Sequence, residues 1–150
     1  MNAIVVGTDG SPGAAAAVQK VIELAKDSDA TIHLVCAFPG RSTLERLGLS
    51  AKVEQVSMRG VASDVVARDE RRFEEVGFTV ENHVREGDPA NTLIEIADEQ
   101  GAELIVVGAR GNSGLRRFAL GAVASKLSHH SPTSLLIVRE DAPATSGEPG

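Results

Sequence analysis

Short apolar runs alternating with longer amphipathic stretches constrain this chain more than any other feature. Ala3-Ile4-Val5-Val6-Gly7-Thr8 is a compact run without polar alternation, the pattern of a strand buried on both faces. Asp9-Gly10-Ser11-Pro12 breaks it, with Ser11 placed as a helix cap and Pro12 at the first helical position. Ala14, Val18, Val21, Ile22 and Ala25 recur at helical spacing and predict a first helix to about Lys26. Ile32, Leu34 and Cys36 alternate within residues 31–37, a second strand closed by Phe38-Pro39-Gly40.

Residues 41–57 have no clean period and are expected to form a mobile loop with some helical character. Val61, Val65, Phe73 and Val76 predict a second helix ending before Gly77. Its outer face, with Asp64, Arg68, Asp69, Arg71, Arg72 and Glu75, reads as solvated and laced by i,i+4 pairs. Phe78, Val80 and Val84 alternate in a third strand over residues 78–85. Gly87-Asp88-Pro89 repeats the turn, cap and proline pattern, and Leu93, Ile94 and Ala97 form the stripe of a third helix ending at Gly101. Residues 103–107 give a fourth strand, residues 122–128 a fourth helix, and Ser134-Leu135-Leu136-Ile137-Val138 a fifth strand.

This order predicts one α/β domain over residues 1–140, a doubly wound, Rossmann-like parallel sheet of five strands with right-handed crossovers. Residues 141–150 hold Pro, Gly, Ser, Thr and acids, with no core residue beyond alanine, and are expected to be a disordered tail. With 150 residues the chain can bury a real core. The core is aliphatic, because Trp and Tyr are absent and Phe occurs four times. A net charge of −6 argues against nucleic-acid binding through a basic surface. The single cysteine, Cys36, rules out an internal disulfide framework and fits a reducing compartment. The first residues lack the basic start of a signal peptide, and no apolar run reaches the roughly 20 residues of a membrane span. A soluble cytoplasmic protein is expected.

Ligands on such sheets bind beyond the carboxyl ends of the strands. Those ends carry Thr8-Asp9-Gly10-Ser11, Ala37-Phe38-Pro39, Gly87-Asp88-Pro89 and Gly108-Ala109-Arg110-Gly111. The spacing Gly108-x2-Gly111-x9-Gly121 runs from a strand into a helix start, where unpaired N–H groups suit phosphate. The alternative is a connection that needs glycines only to turn. The segment is neither a P-loop nor a dinucleotide fingerprint: no Gly-Lys-Ser/Thr follows it, and Gly7-x2-Gly10-x2-Gly13 has the wrong spacing. A carboxylate at Asp9 could take a ribose hydroxyl or an adenine amino group, or could simply close an Asp–Gly turn. Arg110, Arg116 and Arg117 lie in the glycine segment, and two of the three read as solvated loop charges. His129-His130 read as a helix C-terminus favoured by the dipole, not as metal ligands, and no metal site is expected. Cys36 reads as a buried small side chain. No triad and no catalytic carboxylate pair stands out.

These segments together resemble the universal stress protein family. The match comprises Val5–Ser11, Gly87-Asp88-Pro89, Leu104–Gly111, Gly121-Ala122-Val123 and Leu135–Arg139. The resemblance implies a five-stranded fold of the adenine nucleotide alpha hydrolase-like type. It also implies a homodimer joined along strand five, and a terminal apolar strand suits such an edge. One branch of the family binds ATP through G-x2-G-x9-G-S/T. Gly108, Gly111 and Gly121 match that pattern, and Ala122 stands where the hydroxyl would be. The lost donor is worth roughly 1 kcal/mol or somewhat more to a charged oxygen. By resemblance, Asp9 and the first exit (Gly7, Thr8) with Ala37 would hold ribose and adenine. Gly108, Arg110, Gly111, Gly121, Ala122 and Val123 would surround the phosphates, with Val107 and Gly87 at the neighbouring exits. ATP (with magnesium), AMP, cyclic AMP or an unfilled site all stay open, and any hydrolysis would be slow and incidental. The implied role is a nucleotide-responsive stress regulator. The competing one is a dimeric interaction or chaperone-like protein without nucleotide, and a nucleotide-dependent enzyme ranks third.

Overall fold

A computed structural model describes residues 1–110 and 121–140, the side chains of residues 51 and 53 excepted. Gly111, Arg116, Arg117 and the expected tail at 141–150 lie outside the described residues. The elements in chain order are β1 (Ala3–Gly7), α1 (Pro12–Ala25), β2 (Thr31–Phe38), α2 (Arg41–Arg46), α3 (Ala51–Glu74), β3 (Thr79–Glu86), α4 (Pro89–Gln100), β4 (Leu104–Gly108), α5 (Ala122–His130) and β5 (Leu135–Val138). The strands form one sheet in the order β3-β2-β1-β4-β5, with every pairing parallel.

Alternation along each strand feeds two cores. Ile4, Val6, Ile32, Leu34 and Val106 meet Val18 and Val21 of α1 and Val66 and Phe73 of α3. Val5, Val35, Ile105 and Val107 meet Leu93 and Ile96 of α4 and Leu127 of α5. The compact apolar runs thus reflect a sheet covered on both faces. Val5, Val6, Ile32 and Leu34 are fully buried, each contributing about 1.5–3 kcal/mol of transfer free energy. The order in which strands are added reverses between β1 and β4, so their carboxyl ends open the crevice of a doubly wound fold.

The local signals act as expected at several joints. The Ser11 side chain accepts from the Ala14 amide at the start of α1, the Asp88 side chain accepts from Asn91 at the start of α4, and Gly101 ends α4 in the left-handed region.

Three expectations are corrected. Residues 41–57 are not a loop: they hold α2 and the first turns of α3. α2 buries a single side chain, Leu44, so no period can show in its sequence. The second predicted helix, α3, begins earlier, and its packed face shares only Phe73 and the partly buried Val65 with the expected stripe. Its buried stripe is Ala62, Val66, Asp69 and Phe73, whereas Val61 and Val76 are exposed. Asp69, assigned to the solvated face, is 2% exposed and sits inside that stripe.

Candidate functional site

The crevice between β1 and β4 holds a cavity of about 280 Å3. That is near the lower end of small-ligand pockets, roughly 300–1,000 Å3. One wall is Gly7, Thr8 and Asp9 at the end of β1, and the facing wall is Val107, Gly108 and Arg110 at the end of β4. Val35 and Ala37 of β2 form the side, Pro89 and Leu93 of α4 the far side, and Gly121, Ala122, Val123 and Ala124 the start of α5. Ser11 and Ala14 of α1 complete it.

The strand exits named from sequence therefore converge, with two exceptions. Gly87 does not line the cavity; its N–H donates to the Phe38 carbonyl (2.9 Å), and it precedes the α4 cap. Gly111 falls outside the described residues. The sequence reading missed Val35, Leu93, Ala124 and Ala14, and it named Ser11 and Pro89 at the strand exits without counting them as site residues. Val35 could have been found, since it lies two positions before Ala37 on the same strand face.

Three helix N-termini meet this cavity, and they differ. α1 and α4 spend a side-chain cap on their third amides, through Ser11 and Asp88. α5 begins at Gly121 with no side-chain cap among the described residues. Its first helical bond is Ser125 N–H to the Gly121 carbonyl, 2.9 Å, so the amides of Ala122, Val123 and Ala124 precede the helical ladder. The helix dipole adds partial positive charge at the same point. Gly121 N–H itself donates to the Ala109 carbonyl.

Thr8 is fixed from three sides. Its N–H donates to the Val35 carbonyl (2.9 Å), its hydroxyl donates to Asp69 Oδ2 (2.7 Å), and its Oγ1 accepts from the Gly10 amide (3.2 Å). The buried Asp69 carboxylate is also 3.8 Å from Arg68 Nε. Asp9 Oδ1 accepts the Ser11 amide at 2.9 Å, which closes an Asx turn at the cavity mouth. Arg110 lies at the opposite lip, paired with Glu140 at 3.1 Å.

Glycine at 108 has a packing cause that the phosphate reading did not supply. A Cβ there would lie 2.5 Å from the Gly13 carbonyl oxygen, and a Cβ on Gly13 would lie 2.1 Å from the Arg110 carbonyl oxygen. α1 and the β4 exit approach each other backbone to backbone.

Cys36 is buried, and burial, then the Asp9 and Asp69 charges, push its thiol up to about 11. It is no nucleophile at neutral pH. His129 and His130 occupy the last turn of α5, with His129 Nδ1 2.9 Å from the Ser125 carbonyl.

The sequence profile described as Universal stress protein family matches residues 1–139. A universal stress protein of Mycobacterium tuberculosis is 30% identical over 138 residues, covering 90% of this chain and 94% of the relative. A universal stress protein solved in complex with cAMP is 27% identical with a TM-score of 0.66, covering 93% of this chain and 98% of the other. A family member from Arabidopsis thaliana solved with AMP bound shares the fold, at 16% identity and a TM-score of 0.65, covering 100% and 99% of the two chains.

Proposed function

The chain belongs to the universal stress protein family, and from that membership we propose that it is an adenine-nucleotide-binding stress regulator acting as a dimer. One observation carries the reading: the start of α5, without a side-chain cap among the described residues, faces the β1 and β4 exits across a cavity at the sheet's reversal point. The cAMP complex of a solved member supports the same ligand class.

In this reading the base and sugar lie between Val35 and Ala37 of β2 and Leu93 of α4, with Asp9 accepting from the sugar. Phosphate oxygens take the amides of Ala122 and Val123, beside Gly108, Gly121 and Arg110. Gly7, Thr8 and Val107 shape the floor. Ala122 offers an amide and no hydroxyl, which favours ligands with fewer phosphates: AMP and cyclic AMP ahead of ATP with magnesium. The nucleotide biases conformation and is not turned over. The dimer forms along β5, which lies at a sheet edge, and the protein works in the cytoplasm. Among the described residues no helix is long and apolar enough to cross a membrane.

Calorimetry with ATP, AMP and cyclic AMP tests the reading. Ala122 is exposed, so Ala122→Glu should fold, because an acid in the first turn favours the helix. The same carboxylate repels phosphate, and binding should vanish. If the unaltered chain binds none of the three at millimolar concentration, the nucleotide reading fails and the non-nucleotide interaction role replaces it.

A further inference from the structure

Away from the cavity, two histidines separated by fifty positions meet at the margin of the sheet. The parallel register sets His33 of β2 opposite Glu81 of β3, and His83 lies two positions further along β3, on the same face. This is the face on which α4 packs, since His33 is also in register with Val5 of the α4-side core. α4 covers β1, β2 and β4, which leaves edge strand β3 at the open margin. His33 is 3% exposed, His83 is half-buried and Glu81 is exposed, so the group has buried walls and a solvent-facing side.

The distances fit a small soft-to-borderline cation. His33 Nδ1 lies 3.0 Å from His83 Nε2, and one ligand atom from each of the three residues lies within 4.8 Å of the others. Bonds of about 2.0–2.1 Å in a tetrahedral site put ligand atoms roughly 3.4 Å apart. At 3.0 Å the two ring nitrogens stand slightly inside that bite, and the exposed Glu81 side chain can close the remainder by rotating. Both rings sit on hydrogen-bonded strands, so little order is lost on binding. Arg85, next along the same face, is engaged by both oxygens of Glu99 at 2.9 and 2.7 Å, so its charge is balanced beside the group.

We infer that His33, Glu81 and His83 form a binding site for a divalent transition metal of the zinc type. Two imidazole nitrogens and one carboxylate oxygen supply three ligands, and water takes the fourth. Nitrogen donors select such metals over magnesium or calcium. The bound ion would clamp edge strand β3 to β2.

A neutral histidine pair joined by a hydrogen bond would show the same ring separation, so the test is metal uptake. The full chain, stripped with a chelator, is titrated with Co2+ and then Zn2+. The expected result is one equivalent of Co2+ with visible absorption of tetrahedral intensity, displaced by Zn2+, and a melting temperature raised by Zn2+. His83→Ala and Glu81→Gln, both away from the fully buried core, should each weaken Zn2+ affinity by at least about tenfold, since even a partner that only supports a ligand is worth that much. Circular dichroism confirms their fold. The double variant His129→Ala/His130→Ala should bind as before. No saturable equivalent, affinity unchanged in His83→Ala, or affinity lost in the double variant would each overturn the site.

Discussion

A methyl group added at Gly108 has no room. It would press on the Gly13 backbone, whose own Cβ position is blocked by the Arg110 carbonyl. Gly108→Ala should therefore destabilise the protein by about 1–3 kcal/mol in nucleotide-free urea unfolding, the range of overpacked cores. A pure ligand-cradle role would leave that curve unmoved. Ala122 is the opposite kind of position, exposed and short of one donor. Ala122→Ser should tighten ATP binding about tenfold by calorimetry, equivalent to roughly 1.4 kcal/mol. Gly108 was legible as a special position, but its reason was not. The spacing of glycines cannot say whether a ligand or a neighbouring turn needs the space, and here Gly13 is that neighbour. Asp69 was illegible for a related cause. A carboxylate in a run of charges looks solvated until Thr8, far off in sequence, is seen donating to it.

Helix starts carry much of the local order, and α4 shows how. Asp88 caps it through the Asn91 amide at 2.9 Å and pairs with Lys126 at 3.1 Å, tying α4 to α5. Partial burial opposes the charge of Asp88, yet the Asn91 amide, Lys126 and the Ala90 amide together hold its pKa below the ordinary value of 3.8. A depressed carboxylate stabilises the fold in full above its unfolded value. That contribution is then lost as pH falls from about 3.8 through the folded value. Asp88→Ala should cost about 1 kcal/mol at pH 7 in urea unfolding. Its stability deficit against the parent chain should shrink as the acid limb is approached. Caps of this kind, and the strands, were readable because their signals are local: Ser11-Pro12, Asp88-Pro89, Gly101. α2 and the first half of α3 were not. α2 holds one buried anchor, Leu44, and the α3 stripe uses Ala62 and a charged Asp69, which no apolar period reveals. Val61 pointed off the face that packs, whereas Val65 sits partly buried at its margin.

Across the whole molecule the sheet has two edges, β3 and β5. In β5 the Ser134 and Val138 carbonyls accept from β4, at 2.9 and 2.8 Å. Alternation then turns the polar backbone groups of Leu135 and Ile137 outward, where a second copy could pair. Ile137→Pro removes an outward N–H while sparing the ladder to β4. Sedimentation should show a shift from dimer to monomer, with the circular dichroism of the parent; a persistent dimer would place the interface elsewhere. Strand identity was plain from sequence, but the order of the inner strands was not, because the apolar runs of β1, β2 and β4 look equally fit for the centre. The centre is β1, and that has a consequence for biosynthesis. Its partner on one side, β2, follows after a single helix, but Ile4 must wait for Leu104 to gain its partner on the other. While the ribosome makes α2, α3, β3 and α4, the most buried strand of the finished protein keeps one backbone edge unpaired. Nascent chains stalled before β4 should be the species that chaperones hold longest.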